Sequence, residues 1–318
     1  MAILLVVQRY SKTLGNHCFA GILFLLSPNM RVCGFTFIRN AIKFDYPIRE
    51  AIQSIMPLCD EIIVVVGNSD DGTRALIEEI SYKIKIVDSV WDDTLREGGE
   101  ILAQQTDLAK QHAPNNADWL FYIQGDECIH EKDIATIREA MKDNLNKPEV
   151  EGLLFKYYHF YGSFDYIGVS RKWYRKEIRI IRNDGLIRSW RDAQGFRKNG
   201  QKLKVKEIDA WVYHYGWVKN PLQQQAKQKV FHSYWHDDKW LHRNIAESDA
   251  FDYSKIDLLE KFKGTHPEVI KERIKAMNWQ FNYQPSNKHL TVKDAILMRI
   301  EKITGWRIGE YRNYILIR

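Results

Sequence analysis

The chain of 318 residues lacks the patterns that would assign it at once to a disulfide-rich or nucleic-acid-binding class. Its four cysteines, Cys18, Cys33, Cys59 and Cys128, show no CxxC spacing, and Cys33 and Cys59 lie in apolar runs where core packing is the expected role. Because there is no disulfide framework, we expect a cytoplasmic location. The net charge is +6 without a dense block of Lys and Arg, so we expect an anionic small molecule or a membrane surface, and no nucleic acid, as a partner.

Long apolar runs are also missing from the first thirty residues. Ile3–Val7 and Phe19–Leu26 are both far shorter than the roughly 20 residues that a membrane helix needs. No small-residue cleavage site follows Phe19–Leu26, which argues against a signal peptide. Met30 comes directly before the first clear strand. We therefore expect residues 1–30 to be an extension that is poorly ordered or non-native.

Two further absences limit the choice of enzyme class. No G-x-G-x-x-G follows the first strand, Val32–Ile38, which disfavours a dinucleotide-dependent dehydrogenase. A nucleotidyltransferase usually has a loop rich in glycine and basic residues after that strand, whereas this chain continues with Arg39-Asn40. No internal repeat or low-complexity tract is present.

What the chain does contain is an alternation of strands and helices from Val32 to about Pro148. Four apolar segments are short and rich in β-branched or aromatic residues, as expected for buried strands: Val32–Ile38, Glu61–Val66, Ile84–Val87 and Trp119–Ile123. The segments between them carry apolar residues at helical spacing. This alternation predicts βαβ units and an α/β fold with a mostly parallel, Rossmann-like sheet flanked by helices.

After Pro148 the chain is richer in aromatic residues. Glu177–Arg182 and Leu186–Trp190 flank the turn sequence Asn183-Asp184-Gly185, which predicts a β-hairpin. From Pro221 onward the pattern predicts a mainly helical region.

Two adjacent carboxylates, Asp126 and Glu127, follow the strand Trp119–Ile123 after Gln124-Gly125. Acids at the exit of a buried strand lie at the edge where open α/β sheets bind ligands. A hard divalent cation could join them to a diphosphate. The alternative is that both acids only cap the next helix, which we expect near His130.

The order of these motifs resembles that of the family 2 glycosyltransferases, which have the GT-A fold. The motifs that carry the resemblance are Arg39-Asn40, Asn68-Ser69-Asp70-Asp71-Gly72-Thr73, Arg96, Gln124-Gly125-Asp126-Glu127 and Tyr213-His214-Tyr215-Gly216-Trp217, the last similar to an HYGW-type segment of bacterial members. The resemblance implies a GT-A catalytic domain over residues 31–217. A helical C-terminal extension over residues 218–318 would then pack on that domain.

The resemblance also implies a nucleotide-sugar donor and the residues that bind it. These residues are Arg39, Asn40, Asn68, Asp71, Arg96 and Gly125. Taken alone, Asn68 and Asp71 are equally well explained by turn formation, and Arg96 by a solvated helix end. The family's nucleobase-binding Asp is absent, because its position falls at Val66 or Gly67.

For the cofactor, the resemblance implies Mn²⁺ or Mg²⁺ bound by Asp126, with Glu127 close by and His214 as a third ligand. Imidazole suits Mn²⁺ better than Mg²⁺. The first acid of the family's D-x-D motif is replaced here by Gln124. The alternative for His214 is a histidine packed among aromatic residues.

Asp192 matches the position at which family members carry a general base. It follows a predicted strand and precedes a glycine loop, so it can face a cleft and take a proton from an acceptor hydroxyl. A single base in a direct displacement implies inversion at the anomeric carbon. The alternative is that Asp192 pairs with Arg188 or Arg191 in a surface loop.

These inferences predict an inverting, metal-dependent glycosyltransferase that uses a saccharide or lipid-linked acceptor in cell-envelope glycan synthesis. The alternative is a non-catalytic protein on the same fold that binds a sugar nucleotide or a glycan, since fold alone does not establish activity. Ile296–Ile303 predicts an amphipathic helix beside Lys302 and Arg307, which either docks on the catalytic domain or touches an anionic bilayer. The second case would place the protein peripherally at the inner membrane face.

Overall fold

The structure is a computed structural model that describes residues 30–244, 248–256, 258–283 and 291–317. Apart from Met30, the extension expected over residues 1–30 lies outside the described residues. The described part of the chain from Arg31 onward forms one compact unit.

The first half of this unit is built as the sequence predicts, from parallel strands joined by helices. The strands lie side by side in the order β3-β2-β1-β4 and are β1 (Val32–Ile38), β2 (Glu61–Gly67), β3 (Ile84–Ser89) and β4 (Trp119–Tyr122). The helices are α1 (Ile48–Ile55), α2 (Thr73–Glu78), α3 (Glu100–Gln111) and α4 (Ile134–Asp143), with short 3-10 helices at Met56–Leu58 and Glu131–Asp133. Strands β1, β2 and β4 are almost continuously buried, as expected for strands with helices on both faces.

The second half extends the same sheet with strands of both directions. The next strands along the chain are β5 (Glu127–Ile129), β6 (Gly152–Tyr161), β7 (Tyr166–Gly168) and β8 (Lys176–Arg182). Strand β8 lies between β4 and β6 and is antiparallel to both. A small separate antiparallel sheet follows, made of β9 (Ile187–Trp190), β10 (Gly195–Lys198) and β11 (Gln201–Lys202).

The predicted hairpin around Asn183-Asp184-Gly185 is wrong. Strand β8 pairs with β4 and β6, whereas β9 pairs with β10. Ile178, Ile180 and Ile181 are fully buried, so β8 is a central strand that already has a neighbour on each side. The turn therefore leads the chain out of the large sheet instead of folding it back beside β8.

The long strand β12 (Lys204–Trp217) completes the sheet, running parallel to β6 and antiparallel to β5. Beyond it the chain is mainly helical, as predicted. Its elements are α5 (Pro221–Ser233), α6 (Asp238–Asn244), β13 (Leu259–Lys261), a 3-10 helix at Glu268–Ile270, α7 (Lys271–Lys275), α8 (Val292–Thr304) and β14 (Ile315–Leu316). Strand β14 pairs with the start of β12 and β13 pairs with β7. The predicted fold class, a GT-A α/β sheet followed by a mainly helical region, is confirmed.

Candidate functional site

A cleft of about 300 Å³ opens at the carboxyl ends of β1 and β4 and is covered by α5. This is the edge at which open α/β sheets bind ligands. Five of the residues predicted from the sequence line it: Arg39, Gly125, Asp126, Asp192 and His214. A neighbouring cleft of about 430 Å³ is lined by Arg39, Asn40 and Arg96. The two clefts share Arg39, so the structure brings most of the predicted set to one side of the sheet.

Asp126 lines the first cleft and is buried among charged groups. Its carboxylate Oδ2 accepts a hydrogen bond from Lys227 Nζ at 3.2 Å, and Oδ1 lies 3.7 Å from His214 Nε2. Burial alone would raise the pKa of Asp126, but the neighbouring nitrogen groups, foremost the Lys227 ammonium, outweigh it and the pKa is lowered. Asp126 is therefore a carboxylate anion held within a cluster of nitrogen groups.

Pairing of β5 with β12 fixes the relative position of Asp126 and His214. The register places His214 opposite Glu127, and Tyr215 N donates to Asp126 O at 2.7 Å. Gly216 completes the arrangement, because a Cβ atom there would lie 2.7 Å from both Asp126 Oδ2 and His214 Nε2. Only a glycine leaves room for the carboxylate and the imidazole to face each other.

Glu127 turns away from this cleft, and the geometry does not support the predicted metal-ligand role. Its carboxylate is fully buried and makes a bidentate ion pair with Arg179, with N–O distances of 2.8 and 2.7 Å. Tyr157 OH donates to it at 2.8 Å and Gln124 N at 3.1 Å. Both oxygens are thus already bound within the protein. Asp126 lies in the turn closed by the bond from Glu127 N to Gln124 O, whereas Glu127 is the first residue of β5, so the two side chains have different surroundings.

His214 is held by a second histidine. His159 Nδ1 lies 3.2 Å from His214 Nδ1, and His159 Nε2 lies 2.8 Å from Tyr174 O. Burial lowers the pKa of both rings, and for His159 the nearby His214 lowers it further. A lowered pKa favours the neutral imidazole, which is the form that can bind a metal.

Asp192 also faces the cleft, in a backbone segment that is held in an unusual conformation. The residues on either side, Arg191 and Ala193, have φ values of 54° and 61°, in the left-handed region that non-glycine residues seldom occupy. Gly99, which precedes α3, packs so closely that a Cβ there would lie 2.7 Å from Asp192 Cβ. Burial raises the pKa of Asp192 to about 6, and Oδ1 has no hydrogen-bond partner among the described residues. This oxygen is itself buried, so the carboxyl group is only partly engaged by the protein.

The predicted nucleotide-binding residues divide into two groups. Arg39 lies over the Trp91 ring at 5.5 Å and pairs with Asp93 at 2.6 Å, while Arg96 pairs with Asp238 at 2.7 Å. These two guanidinium groups border the neighbouring cleft, so a ligand could exchange with their present partners.

The second group consists of Asn40, Asn68 and Asp71, whose side chains hydrogen-bond within turns. For Asn68 and Asp71 this is the alternative role named in the sequence analysis. Asn68 Oδ1 accepts from Trp91 N at 3.2 Å. Asp71 accepts from Lys43 N at 2.7 Å and from Thr73. Asn40 is intermediate, since its Oδ1 accepts from a turn amide at 3.0 Å while it also lines the neighbouring cleft. None of their bonds requires a ligand.

The residues present fit a divalent cation that is shared with a ligand. In the part of the chain that the structure describes, no group of three His, Cys, Asp or Glu side chains could hold a metal by itself. Asp126 Oδ1 and His214 Nε2 nevertheless face each other across space that Gly216 leaves open. Mg²⁺ is commonly held by one or two protein oxygens together with substrate phosphates, and an imidazole ligand favours Mn²⁺. The donor set therefore suits Mn²⁺ or Mg²⁺ whose remaining coordination positions are filled by water or by a phosphate ligand.

Sequence analysis missed two lysines of this site. Lys227 lies on α5 and lines the cleft, donating to both Asp126 and Gly216 O. Lys219 is fully buried behind it, and burial together with the charge of Lys227 lowers its pKa to about 7. Lys227 is separated from Asp126 by 101 positions, so no local motif connects them. The sequence feature that could have indicated these lysines is the glutamine-rich segment of α5, whose buried residues are all polar.

No protein-family model and no curated protein sequence matches this chain. Among solved structures, it is similar to Staphylococcus aureus TarS 1–349 in complex with UDP, at 14% identity over 63% of this chain and 64% of that chain, with a TM-score of 0.39. It is also similar to the mannosyltransferase PcManGT from Pyrobaculum calidifontis in complex with GDP-Man and Mn²⁺, at 18% identity, 42% and 40% coverage and a TM-score of 0.30. A third similar structure is mannosyl-3-phosphoglycerate synthase from Rubrobacter xylanophilus, at 18% identity, 41% coverage of each chain and a TM-score of 0.29.

The chain spans less than two thirds of the length of these structures. All three TM-scores lie below 0.5, so the likenesses carry no conclusion about activity. Within the described ranges, no helix has the length and apolar character needed to cross a bilayer.

Proposed function

We propose that this protein is an inverting glycosyltransferase, of the family 2 type, that uses a nucleotide-diphosphate sugar as donor. The proposal depends on one observation: two carboxyl groups whose pKa values are shifted in opposite directions line the same cleft. Asp126 is an anion among nitrogen groups, whereas burial raises the pKa of Asp192 to about 6. Two acids whose surroundings separate their pKa values in this way suit two different roles in one reaction.

The cluster around Asp126 suits the leaving diphosphate. Asp126 Oδ1 and His214 Nε2 would hold Mn²⁺ or Mg²⁺, which supplies charge neutralisation to the phosphate oxygens when it is bound. Lys227 Nζ donates to Asp126 Oδ2 and Gly216 O. An ammonium has three N–H donors, so the third could donate to a phosphate oxygen. Arg39, Asn40 and Arg96 would bind the nucleotide in the neighbouring cleft.

Asp192 suits the role of general base toward the acceptor hydroxyl. A carboxyl with a pKa of about 6 is mostly ionised at pH 7, yet it is more basic than an ordinary aspartate. In a direct displacement the acceptor oxygen forms its bond to the anomeric carbon as the bond to the diphosphate breaks. The Asp192 carboxylate takes the hydroxyl proton, and the configuration at that carbon is inverted.

The test is the variant Asp192→Asn, assayed with Mn²⁺ and a panel of nucleotide-diphosphate sugars. We expect transfer and donor hydrolysis to fall by about 10²-fold or more, the usual contribution of a general base, while calorimetry shows unchanged donor binding. Asp209→Asn is the matched control, because Asp209 is an exposed aspartate on β12 that pairs with Lys156. Wild-type turnover by Asp192→Asn would exclude the base role.

The same assay separates the enzyme from a non-catalytic protein that binds a sugar nucleotide. A binding protein would bind the donor and would neither hydrolyse nor transfer it under any metal condition. The comparison with a non-catalytic protein matters because Gln124 replaces the first acid of the D-x-D motif and so removes one potential carboxylate ligand of the metal. Its amide instead donates to Ala193 O at 3.3 Å, beside Asp192.

A saccharide or lipid-linked acceptor and a role in cell-envelope glycan synthesis complete the proposal, and α8 offers a surface for membrane contact. One side of this helix is docked, since Glu301 pairs with Arg171, Arg175 and Arg307. Its exposed residues include large apolar side chains and cations: Val292, Lys293, Ile296, Arg299, Lys302 and Ile303, with exposed Trp306 just beyond the helix. Apolar residues flanked by cations suit the interface of an anionic bilayer.

Vesicle flotation tests this contact. We expect the protein to float with vesicles of anionic phospholipid and to remain in the lower fraction with purely zwitterionic vesicles. The paired variant Ile296→Asp and Ile303→Asp should lose flotation. Equal flotation of the variant and the wild type would remove α8 as the contact.

A further inference from the structure

His159 has no direct part in the chemistry described above, although it is buried and contacts a cleft residue. It is 2% exposed and lies on β6, in register with His214 on the adjacent strand β12. Its ring stacks on Trp173 at 5.1 Å and on Tyr157 at 5.3 Å. With aromatic rings packed on it, the imidazole has a fixed orientation.

Two hydrogen bonds determine which nitrogen of His159 carries the proton. Its Nε2 lies 2.8 Å from Tyr174 O, and a carbonyl oxygen can only accept, so Nε2 is the donor. In a neutral ring Nδ1 then carries a lone pair. That lone pair is directed at His214 Nδ1, 3.2 Å away.

The tautomer of His159 determines the tautomer of His214. Because His159 Nδ1 accepts, His214 Nδ1 must donate, and the proton of a neutral His214 is on Nδ1. The remaining nitrogen, Nε2, has a free lone pair. It faces Asp126 Oδ1 at 3.7 Å, which is too long for a hydrogen bond between them.

We propose that His159 is a positioning residue that fixes His214 in the Nδ1–H tautomer, so that His214 Nε2 presents a lone pair beside Asp126. For neutral rings the tautomer follows from the contacts, whereas the use of the lone pair for a divalent cation rests on the proposed function. Metal-binding histidines generally donate their other N–H to an acceptor, and loss of such an acceptor typically weakens metal binding 10- to 100-fold.

The tautomer can be measured without metal or substrate. In protein labelled with ¹⁵N in the histidine rings, long-range ¹H–¹⁵N spectra distinguish the two neutral tautomers, and a His214→Gln spectrum identifies the His214 signals. We expect wild-type His214 to be in the Nδ1–H form and His159→Phe to lose that preference. A wild-type His214 in the Nε2–H form would overturn the inference, whether or not the variant folds.

Binding of Mn²⁺ alone, measured by loss of the electron paramagnetic resonance signal of the free ion, tests the consequence. His159→Phe keeps a stacking ring but removes the acceptor, and we expect affinity to fall about 10- to 100-fold. His159→Asn should restore most of it, since its carbonyl oxygen can accept near the position of Nδ1. Unchanged affinity in folded His159→Phe, with the fold checked by circular dichroism, would refute the positioning role. Absence of Mn²⁺ binding in the wild type would instead reject the proposed metal site and leave the tautomer spectra to decide the inference.

Discussion

The buried pair of Glu127 and Arg179 yields a prediction that separates a structural role for Glu127 from a metal-binding one. The two side chains are 0% and 1% exposed and form a bidentate pair. Glu127→Gln keeps the size and an acceptor oxygen but removes the negative charge. The guanidinium of Arg179 would then be buried without a counter-charge.

The size of the effect follows from this burial. Removing one partner of a buried ion pair typically lowers the free energy of unfolding by about 3–5 kcal/mol. At roughly 2 °C per kcal/mol for a large domain, the Tm should fall by at least about 6 °C. Urea denaturation followed by circular dichroism, in buffer with a chelator, measures the free energy of unfolding directly.

Two controls sharpen this experiment. Glu61→Gln breaks the half-exposed pair of Glu61 and Arg31 and should cost about 1 kcal/mol or less. The double variant Glu127→Gln with Arg179→Met removes both charges and should recover much of the lost stability. If Glu127→Gln instead kept wild-type stability without metal and lost Mn²⁺ binding, Glu127 would be a ligand and our account of the pair would be refuted.

Three further predictions concern the cleft. The kcat/KM of the wild type should rise as the pH increases through about 6, because burial raises the pKa of Asp192 to about 6 and only the ionised form can act as a base; a rate that is flat from pH 5 to 7 would contradict this. Lys227→Met should weaken binding of a nucleoside diphosphate at least about tenfold by calorimetry, since a charge-assisted hydrogen bond contributes about 1.5–3 kcal/mol. Lys229 is an exposed lysine on the same helix, so Lys229→Met should bind normally, and equal affinities of the two variants would exclude the phosphate contact. Gly216→Ala should abolish Mn²⁺ binding in a folded protein, because its Cβ would lie 2.7 Å from Asp126 Oδ2 and His214 Nε2, while Gly185→Ala has open space around it and should change nothing; normal Mn²⁺ binding by Gly216→Ala would show that the ion lies elsewhere.

The architecture could be predicted from the sequence because its signals are local. Continuous apolar runs such as Glu61–Val66 mark strands covered on both faces, and their spacing by helical segments implies parallel pairing. The cleft at the strand ends followed from the same pattern, and so did the exit of Asp126 into it. The hairpin prediction was wrong because a turn sequence reports a change of direction and not which strands pair afterwards.

The site was only partly predictable because its polar contacts are long-range. Asp126 and Glu127 are indistinguishable in the sequence, yet Asp126 lies in a turn and reaches the cleft, whereas Glu127 begins β5 and pairs with Arg179. Lys227 reaches Asp126 from a helix 101 positions away. The contact of His159 with His214 depends on the register between β6 and β12. None of these contacts leaves a periodic trace in the sequence.

The polar inner side of α5 has a consequence for how this chain tolerates change. Its buried side chains are Gln224, Gln225, Lys227 and Gln228, and among the described residues Gln224 finds no hydrogen-bond partner for either amide atom. An aliphatic substitution at Gln224 should therefore make the protein harder to unfold, since it removes a buried amide that has no partner in the described part of the chain. Gln228 and Lys227 lie on the same side of the helix and line the cleft, so an aliphatic residue at either position would remove a group that a polar ligand can use. Selection for thermostability that made this whole side apolar should therefore raise the free energy of unfolding at position 224 and weaken ligand binding at positions 227 and 228.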